Sequence, residues 1–161
     1  MVGLARHLVE TYPGEFKLLM NLITAENYEG NLERACAAAR RAVLVTNLPE
    51  RLGEHCTAMC ALAMLQIGVA RRGRNLNQTR KLAERARRTL SQAQALAERA
   101  NEPYLVGRLL QGESVVLRML GRGDAARTVD EQARRVLTKI DKEIANERHR
   151  HLLRLFRHLL P

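Results

Sequence analysis

The chain has 161 residues, 46% of them hydrophobic and 27% charged, which excludes a disordered or low-complexity protein. Lys and Arg number 27 against 17 Asp and Glu, and the net charge of +10 favours an anionic partner: nucleic acid, a membrane surface or an acidic protein. Good helix formers (Ala, Leu and Arg) dominate the composition, whereas segments rich in Val, Ile and Thr are lacking. The sequence therefore predicts one all-α domain over residues 1–161.

The cysteines and the apolar segments indicate in which cellular compartment the protein is expected. Cys36, Cys56 and Cys60 have no disulfide-framework spacing, which indicates a reducing environment. The N-terminus lacks the apolar core and cleavage site of a signal peptide. The most apolar stretch, residues 56–70, has 15 residues where a membrane span needs about 20, so it predicts a buried central helix. We expect a cytoplasmic protein.

Proline and glycine alternate along the chain, and the segments between them have apolar residues at the spacing of helices. The order is Pro13, Gly30, Pro49, Gly73, Pro103 and the pair Gly121 and Gly123. Each proline is expected in the first turn of a helix and each glycine in the left-handed position after one. The expected caps of the returning helices are Asn31, Asn75 and Asp124.

This punctuation predicts three antiparallel helical hairpins, at about 14–47, 50–101 and 103–140, and a terminal helix at 142–160. The hairpins begin at Pro13, Pro49 and Pro103, which are 36 and 54 residues apart. Irregular periods in this range favour an α-solenoid. The alternative is a non-repeating helical bundle with similar loops.

Two segments carry a resemblance to tetratricopeptide repeats: residues 28–42, YEGNLERACAAARRA, and residues 117–133, LRMLGRGDAARTVDEQA. Aligned on their glycines, they pair Gly30 with Gly121, Ala35 with Ala126, and Ala42 with Ala133. The resemblance implies a divergent array of helical hairpins, similar to those of bacterial multidomain regulators, that binds a partner and performs no reaction. The chain departs from the family in having no Trp, in lacking the Gly and Tyr of the first helix, and in its long middle hairpin.

The first helix of each hairpin would line the concave side of a curved array, where its polar residues would contact a ligand. These groove residues are Lys17, Asn21, Thr24, Asn27, Gln66, Arg108, Gln111 and Arg118. The alignment pairs Lys17 with Arg108 and Asn27 with Arg118. Cations repeated along one side predict an acidic peptide or protein as the partner. The alternative is that these are simply exposed polar positions.

Residues 70–90, ARRGRNLNQTRKLAERARRTL, are strongly basic, and they support two interpretations. A stripe made mostly of alanine predicts a helix that packs closely on one side and exposes Lys81, Arg85, Arg88 and Arg99 on the other; the stripe comprises Leu76, Ala83, Leu90 and Ala97 with Ala86, Ala93 and Ala100. In the first interpretation this basic side is only a solvated face. In the second it contacts the phosphates of a nucleic acid through Arg71, Arg72, Arg74, Lys81, Arg85 and Arg88. The lack of aromatic residues between Tyr28 and Tyr104 argues against stacking on single-stranded bases.

The other candidate sites have structural explanations. Cys56 and Cys60, next to His55, do not complete a four-ligand zinc site, and we expect them in the core. The basic, amphipathic C-terminal segment, 146–161, is expected to cap the last hairpin, with binding to a membrane surface as the alternative. His149 and His151, two residues apart, point to different faces of that helix.

No catalytic motif or nucleotide-binding loop is present, so we expect no enzyme activity, cofactor or metal. The sequence predicts a non-catalytic protein-interaction module, either by itself or as a segment of a larger bacterial regulator. A basic nucleic-acid-binding domain is the alternative.

Overall fold

The computed structural model of the protein describes residues 2–140, in which seven α-helices follow one another without any strand. The helices are α1 (Val2–Thr11), α2 (Phe16–Tyr28), α3 (Leu32–Val45), α4 (Leu52–Arg71), α5 (Leu76–Arg99), α6 (Pro103–Met119) and α7 (Gly123–Leu137). A short 3-10 helix at Pro49–Arg51 leads into α4, and Pro103 is the first residue of α6, as predicted. The all-α prediction is confirmed for this range, while the predicted terminal helix at 142–160 lies outside the described residues.

Helix α4 is the centre of the fold. Each helix packs against its neighbours in the chain, and further contacts join α4 to both α2 and α6. Thirteen of the 20 residues of α4 are buried. With the preceding turn, α4 is the one stretch in residues 2–140 that is long and apolar enough to cross a membrane, but 67% of its most apolar window is buried inside the protein. It is therefore the buried central helix that the sequence predicts.

The alanine stripe of α5 is confirmed as its packing face. Ala83, Ala86, Ala93 and Ala97 are completely buried, and Leu90 is nearly so. Leu76 is wrong as a member of this stripe, since it is 73% exposed. It is the first residue of α5 and lies where few neighbouring side chains can cover it.

Two of the predicted glycine turns have the same geometry. Gly30 after α2 and Gly121 after α6 have φ of 79° and 76°, a conformation that glycine adopts without steric penalty. In each turn the next residue donates its backbone N–H to the carbonyl five residues earlier, at 2.8 Å. The alanines that the alignment pairs after these turns are completely buried in both segments: Ala35 with Ala126, and Ala42 with Ala133.

The turn at Gly73 differs from the prediction, because Gly73 does not have a positive φ. A Cβ at this position would lie 3.0 Å from both the Cα and the backbone N of Thr79 and would overlap the hydroxyl of that residue. Glycine is therefore required here by the close return of α5. The left-handed residue of the middle hairpin is instead Asn101 at the end of α5, with φ of 51°.

One of the three predicted helix caps is confirmed. Asn75 accepts a hydrogen bond from the backbone N of Gln78 at 2.9 Å at the start of α5. Asn31 precedes α3 without capping it, since its side chain donates to Glu26 instead. Asp124 is not a cap either, because α7 already begins at Gly123 and the carboxylate lies in its first turn, next to the positive end of the helix dipole.

Helix α1 is not among the predicted hairpins, and an ion pair between the half-buried Arg6 and the buried Glu26 ties it to α2. Arg6 Nε donates to Glu26 Oε1 at 2.7 Å, and Asn31 Nδ2 donates to Glu26 Oε2 at 3.1 Å. Glu26 is only 2% exposed. The hydrogen bond from Arg6 lowers the pKa of the Glu26 carboxyl, burial opposes this, and the hydrogen bond from Asn31 lowers it further. The carboxylate thus links α1, α2 and the start of α3.

We expect Glu26→Gln to destabilise the protein at pH 7 by about 1–3 kcal/mol, because a charge-assisted hydrogen bond is lost. A carboxyl whose pKa is lowered on folding stabilises the native state above its unfolded pKa of about 4.3, and this contribution is lost as the pH falls further. The free energy of unfolding of the variant should therefore depend less on pH below about 4.3. Urea unfolding at a series of pH values measures this. Glu29→Gln, at an exposed position nearby, is the control and should resemble the wild type.

Close packing between α6 and its neighbours depends on two glycines. A Cβ at Gly107 would lie 2.6 Å from Leu137 Cδ2 and 2.7 Å from Leu137 Cγ, on α7. A Cβ at Gly112 would lie 2.7 Å from Met64 Cε and 3.2 Å from Leu90 Cδ2. These contacts bring α6 close to α4, α5 and α7.

We expect Gly107→Val to destabilise the protein by about 1–3 kcal/mol, since the added carbons overlap Leu137 Cγ and Cδ2 and force this side chain out of its packed position. Gly53→Val is the matched control, because nothing lies within 4 Å of a Cβ at Gly53. Thermal unfolding of both variants checks the prediction. The double variant Gly107→Val, Leu137→Ala should recover part of the lost stability. If it does not, the contact with Leu137 is not the cause of the destabilisation.

Candidate interaction surfaces

Two predicted groove residues of α6, Arg108 and Gln111, form a hydrogen-bonded group with Tyr104. Arg108 Nε donates to the Tyr104 hydroxyl at 3.0 Å, and the guanidinium lies 5.3 Å from the centre of the Tyr104 ring. Arg108 Nη1 also donates to Gln111 Oε1 at 2.9 Å. Tyr104 is not among the predicted groove residues, although it precedes Arg108 by four residues, the spacing at which side chains meet on a helix.

The remaining groove residues differ in their surroundings. Lys17 and Asn21 are exposed, Asn27 is half-buried, and Thr24 donates its hydroxyl to the Met20 carbonyl at 2.9 Å. Arg118 is exposed but forms an ion pair with Asp130 of α7, which offsets part of its charge. The helices that carry these residues contact one another, α2 with α4 and α4 with α6. Among the predicted groove residues, Arg108 and Gln111 are joined directly by a hydrogen bond.

Gln66 is the most buried member of the predicted groove. It is 7% exposed, and its Oε1 has no hydrogen-bond partner within the described part of the chain. An unpaired buried acceptor costs about 1–3 kcal/mol. A donor such as a peptide N–H or a water molecule would remove this cost.

The predicted polyanion surface is divided between two places. Arg71 and Arg72 line an open pocket of about 420 Å³ together with Asn27, Tyr28, Gly30, Leu32 and Gly68. Arg72 Nη1 donates to the Gly30 carbonyl at 2.7 Å, which joins the end of α4 to the turn after α2. The pocket thus places Asn27, a predicted groove residue, beside two of the predicted polyanion residues.

The other polyanion residues belong to the start and the outward side of α5. Arg74 precedes that helix, and Lys81 helps to line an open pocket of about 640 Å³ at its N-terminus. Lys81, Arg85 and Arg88 are all exposed. This agrees with the predicted orientation of the basic side of α5 away from the core.

The three cysteines are free thiols in the core. Burial raises the pKa of Cys36 to about 11, while a hydrogen bond with Cys56, together with burial, raises the pKa of Cys60. His55 Nδ1 lies 3.3 Å from the Thr46 hydroxyl. A group of three or more His, Cys, Asp or Glu side chains that could hold a metal ion does not occur in residues 2–140. The core role predicted for Cys56 and Cys60 is confirmed, while His149 and His151 lie outside the described residues.

Neither protein-family models, nor curated proteins, nor solved structures gave a match to this chain. The resemblance to tetratricopeptide repeats therefore gains no support from a relative. What is established for residues 2–140 is a helical protein whose consecutive helices pack together.

We expect the native thiols to resist alkylation. At pH 8, a pKa of about 11 leaves Cys36 with a thiolate fraction on the order of 100-fold below that of an exposed cysteine. Labelling with iodoacetamide, followed by mass spectrometry, should show little modification in buffer and three modified cysteines in denaturant. Rapid modification of the folded protein would contradict the burial of these side chains.

Proposed function

We propose that the chain is a tetratricopeptide-like α-solenoid of antiparallel hairpins that acts as a non-catalytic protein-interaction scaffold. The matching turns at Gly30 and Gly121, each followed by completely buried alanines, support an internal repeat. In the last hairpin Gly107 lies against Leu137 and Arg118 against Asp130, which is the pairing that an antiparallel hairpin produces.

The observation that carries the proposal is the set of contacts between non-consecutive helices. Helix α4 contacts both α2 and α6, whereas α2 and α6 make no comparable contact with each other among the described helices. A closed bundle would bring its first and last helices together around one core. An open array instead repeats the same neighbour contacts along its length. The first helices of the three hairpins then form one layer, in which α2 and α6 carry the exposed side chains and α4 between them is mostly buried.

The proposed ligand is an extended peptide with acidic side chains, bound across α2, α4 and α6 by side chains of α2 and α6. Lys17, Arg108 and Arg118 would form charge-assisted hydrogen bonds with its carboxylates. Because Tyr104 and Gln111 already hold the guanidinium of Arg108, little side-chain entropy is lost when that contact forms. Gln66 is almost completely buried, so its side chain would have to turn outward before Oε1 could accept a hydrogen bond from the peptide.

The three buried thiols favour a reducing compartment, and we propose a cytoplasmic location. In this setting the module works either by itself or as a segment of a larger bacterial regulator. Determining the boundaries of the full-length gene distinguishes these two cases.

Selection from a random peptide library displayed on phage tests the proposal. We expect the selected sequences to be enriched in Asp and Glu. The variant Lys17→Glu, Arg108→Glu, Arg118→Glu should bind the best peptide at least about 10-fold more weakly in fluorescence anisotropy, a loss of about 1.4 kcal/mol or more.

The control is Arg127→Glu, Arg134→Glu, Arg135→Glu, which makes the same change in net charge at exposed positions of α7. It should bind the peptide much as the wild type does. Circular dichroism verifies that both variants are folded. Equal binding by the groove variant and the control would remove the groove from consideration.

A further inference from the structure

The positive charge of the protein is concentrated on two helices. Together α3 and α5 carry nine Arg and Lys against three Glu, a net charge of +6 out of the +10 of the whole chain. The three helices of the proposed groove, α2, α4 and α6, have four cations and three carboxylates. Helix α7 has three of each and is neutral. The groove therefore does not account for the basic character of the chain.

The cations of α5 form one outward row. Lys81, Arg85, Arg88 and Arg99 follow one another at spacings of 4, 3 and 11 residues, which keeps them on one side of a helix, opposite the buried alanine stripe. All four are exposed. Glu84 lies between Lys81 and Arg88 in sequence, and it also forms an ion pair at 3.9 Å with Arg122 of the last hairpin. One carboxylate thus lies beside four cations, which leaves the row strongly positive.

Helix α3 packs against the same central helix as α5, since both contact α4. Cys36 of α3 is subject to the charges of Arg40 and Glu33 on its own helix and to that of Arg85 of α5. Arg40 and Arg85 are both exposed. We call the surface formed by Arg40, Lys81, Arg85, Arg88 and Arg99 the α3–α5 basic face.

The chemistry of this face fits phosphate groups. Four of its five cations are arginines, whose planar guanidinium can donate two parallel hydrogen bonds to a phosphate. From Lys81 to Arg99 the row extends about 27 Å along α5. This length is enough for the row to contact several phosphates, since a duplex carries one phosphate charge per about 1.7 Å of its axis.

Two other polyanionic partners fit less well. Single-stranded nucleic acid is normally held by stacking on aromatic side chains, and α3 and α5 contain none. A membrane surface is normally bound with an apolar side buried in the lipid. On α3 and α5 the large exposed hydrophobic residues are only Leu44 and the terminal Leu76, whereas the other large apolar residues of both helices are buried or pack against the core.

We propose that the α3–α5 basic face binds the phosphate backbone of double-stranded nucleic acid, independently of base sequence. This surface differs from the stretch Arg71–Arg88 that the sequence indicates. It includes Arg40 of α3 and leaves out Arg71 and Arg72, which belong to the pocket beside Tyr28. The proposal does not depend on peptide binding by α2, α4 and α6.

Fluorescence anisotropy with a labelled DNA duplex of about 20 base pairs, over roughly 50–300 mM KCl, tests the proposal. We expect the logarithm of the affinity to fall linearly with the logarithm of the salt concentration. The variant Lys81→Gln, Arg85→Gln, Arg88→Gln should bind at least about 10-fold more weakly and reduce the salt slope by about 2–3. Adding Arg40→Gln should weaken binding further, which a face limited to α5 does not predict.

The matched control is Arg127→Gln, Arg134→Gln, Arg135→Gln on neutral α7, which removes the same charge and should retain the wild-type affinity. Circular dichroism verifies that the variants are folded. An equal loss in the control would overturn the proposal, since net charge alone would then explain binding. It would also be overturned if the wild type failed to bind the duplex at low salt, or bound single-stranded DNA, phosphatidylserine vesicles or polyglutamate more tightly at equal salt.

Discussion

The close approach of helices through side chains of minimal size is the constraint on which the rest of the structure depends. Helix α5 packs with Ala83, Ala86, Ala93 and Ala97, and α6 presents Gly107 and Gly112 to its neighbours. Such positions contribute little apolar area of their own, so the helices must come close enough for larger residues of α4 and α7 to fill the space between them. A single added carbon at Gly107 or Gly112 meets a neighbour at less than 3 Å.

This manner of packing explains why the local features of the fold could be predicted from the sequence. A stripe of alanine at helical spacing predicts a packing face, and a glycine at the end of a helix predicts a turn. Both predictions depend only on residues within about one turn of the chain. The packing face of α5 and the turns at Gly30 and Gly121 followed from such patterns. The predictions failed where a distant residue decides the outcome. Asn31 does not cap α3 because its amide donates to Glu26. The other oxygen of Glu26 accepts from Arg6 of α1, a helix outside the predicted hairpins.

The candidate surfaces show the same division between local and distant effects. Helical spacing alone indicates that Lys81, Arg85 and Arg88 face outward, and they do. It does not show that Arg118 is paired with Asp130, since that contact depends on how α6 meets α7. Helical spacing also does not show that Arg72 lies apart from the basic row of α5. Arg72 is drawn to the Gly30 carbonyl, 42 residues earlier in the chain, and this contact depends on the packing of α2 and α3 around the end of α4.

The distribution of charge has an energetic consequence. Like charges on neighbouring helices repel one another, and this repulsion destabilises the compact state unless carboxylates or counterions offset it. Helix α7 offsets its three cations with three carboxylates, whereas α3 and α5 leave a net charge of +6 on helices that both pack against α4. The charge of α5 could be offset in the same way, because Gln92 and Ala95 are exposed and Glu at either position would not disturb the core. Neither position holds a carboxylate, so ions in solution offset the excess charge of α3 and α5, and any polyanion bound there would release those ions.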